Sequence, residues 1–149
     1  MTHSTSVKIR SSLSRKMAVP GGRTVADALV RAEKGLEGHR EAGLETMESL
    51  LAWLEAAVSA GTAESAGDVY RVAAELLDLA GFFETGPFYD ATFSLCEITD
   101  RMQTTGTWDW PSVAVHVRSM RLIMVDGCRD SENARTIQAG LTAVARKWA

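Results

Sequence analysis

His39 is the side chain in this sequence best suited to chemistry near neutral pH, and it stands in an unusual setting. The stretch LEGHREAGLETM, residues 36–47, lies inside a helical pattern, yet Gly35, Gly38 and Gly43 surround the histidine. Each glycine in a helix interior costs roughly 1 kcal/mol relative to alanine, so the stretch implies a compensating feature. An imidazole presented on a helix can accept a phosphoryl group at a ring nitrogen and pass it on. It is also commonly a packed, hydrogen-bonded side chain. The glycines then mark either a kink or the close approach of a second helix, for which Gly35, Gly38 and Ala42 are the small residues available.

HREAG, residues 39–43, resembles in part the H-x-x-K-G pattern of histidine phosphotransfer domains, which are helical bundles. His39 and Gly43 have the right spacing, but Ala42 stands where the lysine would be. A cation at that place offsets phosphoryl charge, so its loss weakens the reading where the chemistry needs support.

Other chemistry-bearing patterns are weaker. Glu41, Glu45 and Glu48 form a carboxylate row at helical spacing, but a di-iron bundle site needs Glu-x-x-His pairs, and ETMES has no histidine. These carboxylates read as a solvated face. His3, His39 and His116 form no metal-ligand spacing, and Cys96 and Cys128 form no CxxC. The cysteines read as reduced thiols, Cys96 buried on a helix and Cys128 in the turn DGCRD. No G-x-S-x-G, phosphate-binding loop or dinucleotide fingerprint occurs. The sequence therefore implies no enzyme, no cofactor and no metal.

What must position these groups is a single helical domain. The 149 residues suffice for one core, and 46% apolar with 23% charged residues is an ordinary globular composition. Charge is divided along the chain. Residues 1–23 hold Lys8, Arg10, Arg15, Lys16 and Arg23 and no acid. The other eleven cations face all nineteen acids, so the body carries −8 against +5 for the arm. A basic arm ahead of an acidic body can fold back on that body or stay solvated, or it can bind an acidic partner, nucleic acid or membrane. For a protein partner, Arg10, Arg15, Lys16 and Arg23 are the candidate contacts. No stretch has the apolar core of a secretory signal or the length of a membrane span, and nucleic acid is not expected. The expected location is cytoplasmic.

The pattern predicts an extended arm over 1–23 and a bundle over 24–149. Thr24 with Asp27 starts a first helix running to about residue 60, whose stripe includes Leu29, Ala32, Leu36, Met47, Leu51 and Leu54. Unbroken, it is roughly 55 Å long; such a helix either kinks at the glycines or serves as a dimerisation element. Further helices are predicted over about 65–83, 87–104, from WDWP to Val125, and from Ser131 through Trp148. Asp109 reads as an N-cap, with Trp108 and Val113 as a hydrophobic staple around Pro111. No strand is predicted. The fold class is all-α, an antiparallel bundle of about five helices.

MAVPGGRTVADALVRAEKGLEGHREAGLETMESLLAWLEA (17–56) and GTWDWPSVAVHVRSMRLI (106–123) resemble the CheE proteins, small helical proteins of alphaproteobacterial chemotaxis gene clusters. The resemblance lies in the basic arm before Pro20-Gly21-Gly22, the long alanine-rich helix with its histidine centre, and the Trp-Pro helix start. It implies a non-enzymatic cytoplasmic accessory of a chemotaxis or two-component pathway, and it transfers no catalytic residue. The expectation is an interaction protein that docks a signalling partner and pairs as a homodimer through its first helix; the alternative is phosphotransfer through His39.

Overall fold

The computed structural model describes residues 24–149, and every regular element among them is helical. In chain order they are α1 (Val25–Ala60), α2 (Ala63–Phe82), α3 (Pro87–Thr105), α4 (Trp110–Val125) and α5 (Glu132–Ala145), followed by a short 3-10 turn at Arg146–Trp148. The all-α bundle expected from the sequence is the fold. The described residues fall into two units, residues 24–38 and His39–Ala149. The basic arm, with Arg10, Arg15, Lys16 and Arg23, lies outside the described residues.

In the first unit, the start of α1 is fixed by a reciprocal cap. The Thr24 amide donates to Asp27 Oδ2 at 3.1 Å, and the Asp27 amide donates to Thr24 Oγ1 at 3.2 Å. Two amides that the helix leaves unpaired are thereby satisfied. Val25, Leu29 and Leu36 follow on this segment with 71%, 59% and 68% of their surface exposed.

In the second unit, the rest of α1 supplies Met47, Leu51, Leu54 and Ala57 to the core at helical spacing. Helix α3 packs against α2, α4 and α5, and eight of its residues are buried. Its inward face explains that position: Phe88, Leu95, Ile98 and Met102 alternate with Thr92 and Thr99, whose hydroxyls donate to the carbonyls one turn back, each at 2.7 Å. Such back-bonding lets a threonine be buried without an unpaired hydroxyl.

The connections show why the helices end where they do. Gly61, at φ 57°, closes α1 in the left-handed conformation that a Cβ disfavours, and Thr62 caps α2 by accepting from the Ser65 amide. This cap starts α2 two residues before the sequence pattern does. At the other end, Thr85 donates both its amide and its hydroxyl to the Ala80 carbonyl. Pro87 then opens α3 at the first helical position, as its missing N–H permits. Ser131 caps α5 through the Ala134 amide, as expected.

Two local expectations are corrected. Asp109 occupies the N-cap position of α4, but its carboxylate takes the Ser112 hydroxyl at 2.6 Å and no backbone amide. Trp108 stacks on Trp110, ring centroids 5.5 Å apart. Trp148, expected on the last helix, falls beyond α5 in the 3-10 turn and reaches the core from there, half-buried. No helix among the described residues is long and apolar enough to cross a membrane.

Candidate functional site

His39 sits on α1 with an exposed side chain and no hydrogen bond or ion pair among the described residues. Ala42, in place of a lysine, is exposed one turn on. The glycines around it divide. Among the described residues, a Cβ added to Gly35 or Gly38 meets nothing within 4 Å. A Cβ on Gly43 falls into the ring of Phe83, the residue that ends α2. The helix approach expected at Gly35, Gly38 and Ala42 gives way to a different close contact, at Gly43 and with an aromatic ring. The Arg40 guanidinium reaches the Phe83 carbonyl at 3.5 Å, beside the same junction.

Arg121 makes the strongest polar link of α1 to the bundle. Its Nε donates to Glu55 Oε1 at 2.6 Å, and its Nη1 meets the Glu48 carboxylate at 2.6 Å. The Glu55 bond, then the Glu48 bond, raise the guanidinium pKa above its already high value. Glu48, read as part of a solvated face, is a partner across helices; the carboxylate row is correct only for Glu41 and Glu45, which remain exposed and unpaired among the described residues. The missed signal is the pairing of Glu48 and Glu55, seven residues apart and thus two turns up one face.

His116, set aside in the sequence for want of metal spacing, is fully buried on α4. Its Nδ1 lies 2.9 Å from the Ser112 carbonyl, which can only accept, so Nδ1 carries the proton. Nε2 then accepts the Ser94 hydroxyl at 2.8 Å. Burial lowers the imidazole pKa, partly offset by the Ser112 carbonyl, and the ring stays neutral. A serine donating to a neutral imidazole is the start of a nucleophile–base pair. Here both residues are closed off by α3 and α4, Ser94 at 6% and His116 at 0% exposure. The pair is a satisfied core contact that joins two helices.

The cysteines are free, and both are half-buried. Burial, with the Asp78 carboxylate nearby, pushes the Cys96 thiol up to about 12. Cys128 is also raised by burial, against the opposing effect of Arg40. Neither has the depressed pKa of a nucleophilic thiolate. Among the described residues no three His, Cys, Asp or Glu side chains converge to hold a metal ion.

What the structure offers a ligand is surface. Three features stand out among the described residues: exposed Val25, Leu29 and Leu36 on α1; exposed Phe82, Tyr89 and Phe93 on α2 and α3; and a groove of about 410 Å³ between α4 and α5, beside exposed Leu122 and Val125. Compared with known proteins, the chain matches no family model, no curated protein and no solved structure.

Proposed function

We propose that this protein is a non-enzymatic, cytoplasmic interaction protein that docks a component of a chemotaxis or other two-component signalling pathway. The observation that carries the reading is the exposure of Val25, Leu29 and Leu36, three apolar side chains at helical spacing on the first segment of α1. Large apolar side chains grouped on one helical stripe, rather than scattered, favour a partner surface. A second copy of the chain pairing through α1 belongs to the proposal, as does a contact from the basic residues Arg10, Arg15, Lys16 and Arg23. The resemblance of residues 17–56 and 106–123 to CheE proteins supplies the signalling context.

One observation favours a second reading. His39 is exposed on α1, as a phosphoacceptor must be, so phosphotransfer is the rival function. One experiment addresses both. The chain is incubated with purified histidine kinases and phosphorylated receivers from its own source, beside His39→Gln, Leu29→Glu with Leu36→Glu, and a chain lacking residues 1–19. Binding by calorimetry that is lost in the leucine variant or the truncation, without transferred label, supports docking. Label on the wild type and none on His39→Gln establishes phosphotransfer in its place.

A further inference from the structure

The negative charge of this protein is least offset by cations in one hairpin. Residues 63–100, comprising α2 and most of α3, contain eight carboxylates and a single cation, Arg71. Arg71 lies within its own helix between Asp68 at 3.5 Å and Glu75 at 3.8 Å. Asp78, Glu84, Asp90, Glu97 and Asp100 have no ion-pair partner among the described residues.

The same hairpin exposes aromatic rings. Tyr89 and Phe93, one turn apart on α3, stack with centroids 6.4 Å apart and are 37% and 46% exposed. The edge of Tyr89 comes so near to Gly81 that a Cβ there would stand 3.2 Å from it, so α2 has a glycine where the ring lies against it. Phe82, next in sequence, is 78% exposed. An open groove of about 500 Å³ runs between the helix ends, with Gly81 and Tyr89 along it and Glu84 and Asp90 at its rim.

Aromatic rings beside carboxylates that have no ion-pair partner among the described residues favour one kind of visitor. A guanidinium can lie flat on a ring, held by the ring's negative face, while its N–H groups reach carboxylate oxygens in pairs. Lysine gains the charge attraction but not the planar stacking or the fork. Phosphate-bearing surfaces, whether nucleic acid or anionic lipid, are repelled by the same carboxylates. We propose that the α2–α3 face formed by Tyr89, Phe93, Glu84 and Asp90 docks an arginine-rich segment of a partner protein. The inference rests on the docking reading above and names the chemistry of the partner.

The test is fluorescence anisotropy of a short labelled peptide of alternating arginine and serine, titrated with the full chain at low and at physiological salt. Saturable binding is expected, weakened by salt and weaker for the lysine–serine peptide. Glu84→Gln with Asp90→Asn should reduce affinity about tenfold, and Tyr89→Leu with Phe93→Leu about fivefold. All four side chains line the surface, so circular dichroism should show an unchanged fold. Glu132→Gln on α5 should leave binding as it was. Absence of binding at low salt overturns the proposal, as does binding that ignores the aromatic variants or falls equally with Glu132→Gln, since either marks unspecific attraction to net charge. The two readings fail separately. A kinase or receiver that binds through Leu29 and Leu36 while the peptide ignores the hairpin removes this inference alone, and a peptide that docks as expected while no signalling protein binds removes the pathway alone.

Discussion

The ring of Phe83 lies on the backbone of Gly43, in the space that a Cβ at position 43 would fill. This relationship joins the end of α2 to the middle of α1 and accounts for one of the three glycines around His39. Gly43→Ala gains helix propensity, about 1 kcal/mol, but forces the ring out of place, a cost of about 1–3 kcal/mol for overpacking. A net loss of stability is expected in urea unfolding. Gly43→Ala combined with Phe83→Leu should recover much of it. Gly35→Ala and Gly38→Ala, where a Cβ meets nothing among the described residues, should each raise stability by about 0.5–1 kcal/mol. A stabilised Gly43→Ala would contradict the packing.

Arg121 holds Glu48 and Glu55 at once, and its side chain is 26% exposed against 52% and 40% for theirs. With that much solvent the pair is worth little per bond, so Arg121→Ala should cost about 1 kcal/mol, part of it from lost packing of the aliphatic stem. A double-mutant cycle of Arg121→Ala with Glu55→Gln isolates the coupling. It should exceed the coupling to Glu48, whose carboxylate is more exposed, and both should shrink in high salt.

How much of this was legible beforehand follows from the kind of pattern each feature leaves. The cap at Thr24 and Asp27, the Ser131 cap and Pro87 at the head of α3 are local, fixed by residues within one turn, and each appears as read. Asp109 also has the composition of a cap, yet Ser112 on the next turn offers a hydroxyl that its carboxylate takes at 2.6 Å, and the amide is left out. Features that join distant residues left no such trace. Ser94 and His116 are separated by 22 positions and Arg121 and Glu55 by 66, and neither pair follows a periodicity that one helix reveals. The candidate docking hairpin was half visible: its charge is countable in the sequence, but the exposure of Tyr89 and Phe93 depends on which face of α3 the core takes.

His116 makes stability pH-dependent in a definite direction. Its folded pKa lies below the ordinary 6.5 because burial penalises the charged ring. Below that value the unfolded chain takes a proton that the folded chain refuses, so stability present above about pH 6.5 is lost as pH falls through the depressed range. Protonation would also convert Nε2 from an acceptor to a donor facing the Ser94 hydroxyl, which can turn its own proton aside, while the charge itself stays buried. Urea midpoints should fall between pH 7 and pH 5 for the wild type. His116→Gln, less stable at pH 7, should show a flatter profile across that interval; an equally steep one would assign the dependence to other groups.

The alkaline side tests Cys96. Burial, then Asp78, raises the thiol from 9.0 to about 12 in the folded protein. The unfolded chain therefore releases its proton first as pH rises above about 9, and the contribution is lost progressively from there towards 12. Two measurements follow. At pH 8 the folded protein should react with a disulfide reagent far more slowly at Cys96 than it does in denaturant, because only the thiolate attacks and access is restricted. Asp78→Asn removes the neighbouring negative charge, so the reaction should quicken without a change in fold, and Cys96→Ser identifies which of the two thiols reports it. A fast, titration-independent reaction of Cys96 in the folded protein would mean that α2 and α3 open at this point, and the aromatic hairpin face would then be a transient surface in place of a standing one.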